Sequence, residues 1–109
     1  MGIEKIIVLE RDALFRNNLE NYLRRCRYDV ASTAAIAGAR DYLSRDNFDI
    51  IFLDLELPDR EGLDFLRELQ MRPQKPLIIV TAGSPLIKLA VDSTQNGAFD
   101  YLIKPFSNE

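Results

Sequence analysis

The sequence predicts a doubly wound α/β domain, a five-stranded parallel sheet with helices on both faces. Two observations predict it. Short apolar runs rich in Ile, Val and Leu alternate strictly with segments of helical period, giving the order βαβαβαβαβ. The central run, Phe48-Asp49-Ile50-Ile51-Phe52-Leu53-Asp54-Leu55-Glu56-Leu57-Pro58, is almost wholly apolar, as a strand buried on both faces requires. Right-handed crossovers then set the helices on both sides of the sheet.

The elements follow in order. Residues 5–10, Lys-Ile-Ile-Val-Leu-Glu, read as a buried strand ending in an acid. Over 12–25 the period changes: Phe15, Leu19, Tyr22, Leu23 and Cys26 share one helical face. Asp12 suits its N-cap, and Arg24, Arg25 and Arg27 suit its negative end. Residues 28–32 form a second strand. Ala35, Ile36, Ala39, Tyr42 and Leu43 mark a second helix ending near Ser44-Arg45. After the central strand, residues 57–62 form a loop punctuated by Pro58 and Gly62. Leu63, Phe65, Leu66 and Leu69 predict a third helix stopping before Pro73. Residues 77–81 are a fourth strand, 86–95 a fourth helix that stops at Asn96-Gly97, and 99–103 a fifth strand.

Composition bounds the chemistry. The 109 residues suit a single domain, and 47% hydrophobic with 28% charged residues suits a packed core rather than disorder. A net charge of −3 gives no pull toward nucleic acid or an anionic membrane surface. No apolar run approaches a membrane span of about 18 residues, and the single Cys26 suits a reducing, cytoplasmic setting. The chain has no histidine. Ser-His and Cys-His nucleophiles and imidazole metal sites are therefore excluded within it. Acid, base or metal chemistry falls to carboxylates, hydroxyls and lysines.

The carboxyl ends of the strands deliver Glu10 (with Arg11 and Asp12), Asp54, Thr81 and Lys104. In an open α/β sheet such ends converge on one crevice. Singly, each residue has an ordinary reading as a cap, a β-former or a surface charge. Jointly they compose a site able to hold a hard cation such as Mg²⁺ through oxygens, with a lysine and a hydroxyl for an incoming phosphoryl group. Asp54 would be the nucleophile, forming an acyl phosphate.

Three segments then carry a family resemblance: Leu53-Asp54-Leu55-Glu56-Leu57-Pro58 followed by Gly62, Ile79-Val80-Thr81-Ala82, and Gly97-Ala98-Phe99-Asp100-Tyr101-Leu102-Ile103-Lys104-Pro105-Phe106. The chain resembles the receiver domain of bacterial two-component response regulators, from the first strand through the fifth. The last segment most resembles receivers of enhancer-binding transcription activators. The resemblance implies a flavodoxin-like sheet of order 2-1-3-4-5 and one receiver domain over 1–109. It implies that Asp54 accepts a phosphoryl group from a sensor histidine kinase or phosphotransfer protein, and that Thr81 and Lys104 contact the phosphate. Thr81 and Tyr101 would form the switch. Mg²⁺ would be held by Glu10, Asp54 and the Glu56 backbone carbonyl. Lys104-Pro105 would be a cis bond. The output would be transcription control through the chain's own effector domain, with no direct contact to nucleic acid or membrane.

Two departures stand out. Where the resemblance implies a second acid after the first strand, the sequence has Arg11. Three readings stay open: Arg11 points to solvent and Asp12 moves in as a substitute ligand; Arg11 weakens Mg²⁺ binding and slows phosphorylation without abolishing it; or the domain is a metal-independent or non-phosphorylated receiver, in the latter case a phosphorylation-independent interaction module. Glu56, two residues past the implied acceptor, offsets Arg11, orients water at the phosphoryl group and so sets the lifetime of the phosphorylated state, or is a solvated loop residue. The second departure is the fifth helix, missing or truncated after Ser107-Asn108-Glu109. This suggests a piece of a longer regulator, with the uncovered face open to a second copy. A phosphatase using Asp54 is the reading from another class. It lacks a sign of a substrate pocket or second acid.

Overall fold

A computed structural model describes residues 4–56, 61–82, 97 and 100–103, with the backbone alone at Glu61, Tyr101 and Ile103. The elements are β1 (Lys5–Leu9), α1 (Ala13–Arg25), β2 (Asp29–Thr33), α2 (Ile36–Arg45), β3 (Ile50–Asp54), α3 (Glu61–Gln70), β4 (Leu77–Ala82) and β5 (Asp100–Ile103). All neighbouring pairs are parallel, in the order β2-β1-β3-β4-β5. The expected order is thus observed. The expected helix at 86–95 and the Lys104-Pro105 bond lie outside the described residues.

The apolar strands feed two cores by simple alternation. Ile7, Leu9, Ile51, Leu53, Ile78 and Val80 point to one face, where Ala39 and Leu43 of α2 and Leu63, Phe65, Leu66 and Leu69 of α3 cover them. Ile6, Val8, Val30 and Phe52 point to the other and meet Leu23 of α1, with Leu19 packed alongside. Each large side chain so buried contributes about 1.5–3 kcal/mol relative to exposure, which is why the strands read as unbroken apolar runs.

Polar ties fix the helices laterally. Glu20 of α1 accepts from the Ser32 hydroxyl of β2 (2.7 Å) and from Arg24, whose guanidinium also donates to the Val30 carbonyl (2.8 Å). The Ser32 hydroxyl, followed by Arg24, holds the Glu20 carboxyl below its ordinary range. Between α2 and α3, Arg40 donates twice to Glu68 and lies over the Phe65 ring.

The α1 face is narrower than its sequence suggests. Leu23 is buried, but Tyr22 is 57% exposed and Cys26 is also exposed. Tyr22 sits a full 100° around the helix from Leu23, and Cys26 lies beyond the last helical residue as the C-cap. Strand β2 begins at Asp29 rather than residue 28 because the chain first closes the helix. The Arg27 N–H donates to the Arg24 carbonyl (2.9 Å) and the Tyr28 N–H to the Leu23 carbonyl (3.2 Å). This paired closure demands a left-handed residue after the cap, normally glycine. Here it is Arg27, with φ +73°.

An L-residue with a side chain is strained there. Arg27→Gly is therefore expected to stabilise the domain by about 1 kcal/mol, a rise of about 4–8 °C in melting temperature for a domain of this size. An unchanged or lower Tm in a calorimetric scan would remove strain at Arg27 as the explanation.

Candidate functional site

Among the described residues, three polar side chains are buried with the apolar core: Glu10 at 1% exposure, Asp54 at 0% and Thr81 at 2%. Each stands at or just past the carboxyl end of a different strand. Sheet register brings them together. Leu9 pairs with Leu53, so Glu10 follows beside Asp54, and Asp54 pairs with Thr81. Glu10 lies one residue past β1, yet its N–H still donates to the Thr33 carbonyl (3.0 Å) and carries the ladder to the site.

Burying a carboxylate costs several kcal/mol before compensation. Among the described residues, backbone amides supply much of the compensation. The Glu56 N–H donates to Asp54 Oδ1 (2.8 Å), and the Arg11 N–H to Asp54 Oδ2 (3.3 Å). The Asp12 N–H donates to Glu10 Oε2 (3.0 Å), and the Thr81 hydroxyl to Glu10 Oε1 (3.4 Å). Hydrogen bonds to a charged group contribute about 1.5–3 kcal/mol each, so two or three of them are comparable with the cost. Asp54 is thus held in a fixed position at the rim of an apolar sheet.

Arg11 adds a cation. Its Nε lies 4.0 Å from Asp54 Oδ2, and its side chain is 53% exposed. Attraction at about 4 Å ranges from about 1 kcal/mol in water to about 4 kcal/mol at an effective dielectric of 20; the exposure of Arg11 puts this pair toward the lower figure.

The loop between β1 and α1 is tied down at three points. Asp12 Oδ1 accepts from the Leu14 and Phe15 N–H groups (3.1 and 3.4 Å), the N-cap its sequence suggests. The Asp12 N–H holds Glu10, as above. Arg16 Nη1 donates to the Glu10 carbonyl (2.8 Å). Sequence reasoning missed Arg16. Its signal was a cation near the N-terminal turn of a helix with no acid there, a placement disfavoured by the helix dipole unless the charge has a local acceptor.

Gly62, which the sequence presents as loop punctuation and as part of the first resemblance segment, has a further role. It lies inside α3, and a Cβ there would sit 2.8 Å from the Asp54 carbonyl oxygen and 3.0 Å from Leu55 Cα. Both neighbours are backbone and cannot swing aside. The helix approaches β3 and the Asp54 carbonyl this closely only because this residue has no side chain.

The structure therefore brings Glu10, Arg11, Asp54 and Thr81 together, with Asp12 engaged as a cap at the exposed rim and Glu56 reaching the site through its backbone N–H. Tyr101 is paired with Val80 in β5, but its side chain, like Lys104 altogether, lies outside the described residues. For a divalent cation the fit is poor. Mg²⁺ is commonly held by one or two carboxylates and completes its octahedron with waters; Glu10 and Asp54 could supply those carboxylates, but the Arg11 guanidinium, its Nε 4.0 Å from Asp54 Oδ2, already places a positive charge there. No group of three acidic or thiol side chains is arranged for a metal among the described residues.

Residues 6–109 match the response regulator receiver domain family. The chain belongs to that family. It is 36% identical to the response regulator protein PilR of Pseudomonas aeruginosa, over 96% of this chain and 24% of PilR. It is 41% identical to the alginate biosynthesis transcriptional regulatory protein AlgB of Pseudomonas putida, over 94% of this chain and 23% of AlgB. The chain thus spans about a quarter of these relatives' length. Among solved structures, a response regulator protein from Burkholderia pseudomallei with a phosphorylated aspartic acid, calcium ion and citrate superposes with a TM-score of 0.83 at 27% identity, covering 95% of this chain and 61% of that one. Receiver domains are signalling modules rather than enzymes; they are phosphorylated by histidine kinases and typically bind a divalent cation. No helix among the described residues of this receiver is long and apolar enough to cross a membrane.

The close approach at Gly62 is testable. Gly62→Ala is expected to destabilise the receiver by about 1–3 kcal/mol, the usual cost of forcing an extra methyl against fixed neighbours. It should also shift the NMR amide signals of Asp54, Leu55 and Glu56. Wild-type stability with unmoved signals would mean that α3 does not seat against β3 as described.

Proposed function

We propose that this receiver accepts a phosphoryl group on Asp54 and relays its arrival to an output surface that controls transcription. The supporting observation is the complete burial of Asp54 at the end of the central strand, in register with Thr81 and beside Glu10. A wholly buried carboxylate ringed by backbone donors has a fixed position, which in-line transfer requires.

In the transfer, an Asp54 carboxylate oxygen attacks the phosphorus of a phosphohistidine on a histidine kinase or phosphotransfer protein. The O–P bond forms as the P–N bond breaks. The electron pair stays on the imidazole nitrogen, which takes a proton from solvent. Thr81 and Lys104 receive the phosphoryl oxygens. Thr81 then leaves its long bond to Glu10, and Tyr101, one position along the paired strand, follows it as the readout. The change emerges at β5, the edge of the described sheet, where Leu102 is 45% exposed. This edge is suited to the chain's own effector domain or to a second copy. The free thiol of Cys26 suits a cytoplasmic setting.

The residues that would face a divalent cation are Glu10, Asp54 and the Glu56 backbone carbonyl, with Asp12 at the rim. Arg11 stands among them, so Mg²⁺ binds this receiver weakly. The Arg11–Asp54 contact also favours a second reading, in which the pair is permanent and the domain acts as a phosphorylation-independent interaction module.

Intact-mass measurement after incubation with acetyl phosphate separates the two. The acceptor reading expects the mass of one added phosphoryl group on the wild type and none on Asp54→Asn, whose buried amide keeps the shape of the site. No adduct on the wild type, with the fold intact, would favour the interaction module.

A further inference from the structure

We propose that Arg11 is the resident cation of the acceptor site. Its guanidinium supplies the positive charge beside Asp54 that a divalent ion would otherwise bring, so this receiver takes its phosphoryl group without a divalent cation. The inference rests on Asp54 being the acceptor and concerns how that site is charged.

The geometry is built for it. Two groups of Arg11 address one oxygen: its N–H donates to Asp54 Oδ2 at 3.3 Å, and its Nε lies 4.0 Å from the same atom. The backbone of residue 11 is held in that place from both sides. Before it, the Glu10 N–H is in the sheet ladder and the Glu10 carbonyl accepts from Arg16. After it, the Asp12 N–H is bound to Glu10 and the Asp12 carboxylate caps α1. The side chain itself is half exposed, so the guanidinium stands on the solvent side of the carboxylate, where a phosphoryl donor arrives.

Charge explains why the position matters. A phosphoryl group brings about −1.5 to −2 charge at neutral pH to a place that already holds the Glu10 carboxylate. A receiver must supply positive charge to receive it. A planar guanidinium offers parallel N–H donors to phosphoryl oxygens and is always protonated. It also repels a divalent ion from the same place, which accounts for the poor fit of the described residues to Mg²⁺. With acetyl phosphate, an Asp54 oxygen forms the O–P bond and acetate leaves with the electron pair. Arg11 offsets part of the phosphoryl charge throughout, beside the groups already assigned to the phosphoryl oxygens, and no proton or electron need be supplied.

The test compares labelling by acetyl phosphate in EDTA and in Mg²⁺ for the wild type, Arg11→Asp, Arg11→Gln and Asp54→Asn, each checked for folding by a thermal melt. A parallel titration with Mg²⁺ alone follows the amide signals of Glu10, Asp54 and Glu56. The wild type should label in EDTA at nearly its Mg²⁺ rate. Both Arg11 variants should lose about a hundredfold in EDTA, the scale of removing one positioned charge stabiliser. Arg11→Asp should regain the rate in Mg²⁺ and bind Mg²⁺ about tenfold tighter than the wild type, since ligand charge sets such affinities. A wild type that labels only with Mg²⁺, or Arg11→Gln labelling normally in EDTA, overturns the role of Arg11 and leaves Asp54 as the acceptor. Equal labelling of Asp54→Asn overturns the acceptor itself, and the inference with it.

Discussion

Two carboxylates side by side in an apolar sheet repel one another and lose their hydration, and a chain keeps such a pair only where donors are fixed around it. Here the donors come from the backbone at the strand ends. The N–H groups of Glu56 and Arg11 hold Asp54, and the N–H of Asp12 holds Glu10. Those amides can turn to the carboxylates because the β1–α1 and β3–α3 connections begin where the ladders end. The apolar strands, the parallel register and the loop ties all serve to bring these few polar groups to one place. Lose the register by one residue and Asp54 would exchange places with an aliphatic neighbour.

On the proposed acceptor role of Asp54, the same arrangement would let a small domain respond to one phosphoryl group. Thr81 is both the register partner of Asp54 and the donor to Glu10. Its hydrogen bond to Glu10 is long at 3.4 Å, so little is lost if the hydroxyl turns elsewhere. Next to it, β4 carries the pairing on to β5. A shift at Thr81 thus has a direct covalent and hydrogen-bonded route to the sheet edge, while the two hydrophobic cores hold the scaffold still.

Much of this was legible in the sequence, and the reason is specific. An acid closing an almost wholly apolar run, as Asp54 does, has an ordinary reading when taken alone, but strict strand–helix alternation fixes which ends converge, and the joint occurrence of Glu10, Asp54 and Thr81 at those ends is the signal. Glu10 and Thr81 follow by the same logic, and Asp12 carries its own capping signature. The features that were not legible depend on contacts far apart in the chain. Gly62 looks like any loop glycine until α3 is seated on the Asp54 carbonyl. Arg27 stands where glycine normally closes a helix, so Cys26-Arg27-Tyr28 gives no turn signal. Tyr22 and Cys26 fit the apolar period of α1 and are nonetheless exposed, because period alone does not say how wide a face the sheet covers. Arg11 was visible as an oddity, but only the geometry shows its N–H and its guanidinium addressing one oxygen.

The central claim is that Asp54, and no other acid at the strand ends, carries the phosphoryl group. Borohydride reduction of the acetyl-phosphate-treated chain tests it most directly, because an acyl phosphate on aspartate is reduced to homoserine. Peptide sequencing by mass spectrometry should find homoserine at position 54 alone. Modification at Glu10, Asp12 or Glu56 instead, or an unmodified position 54 in a chain that has gained the phosphoryl mass, would contradict it.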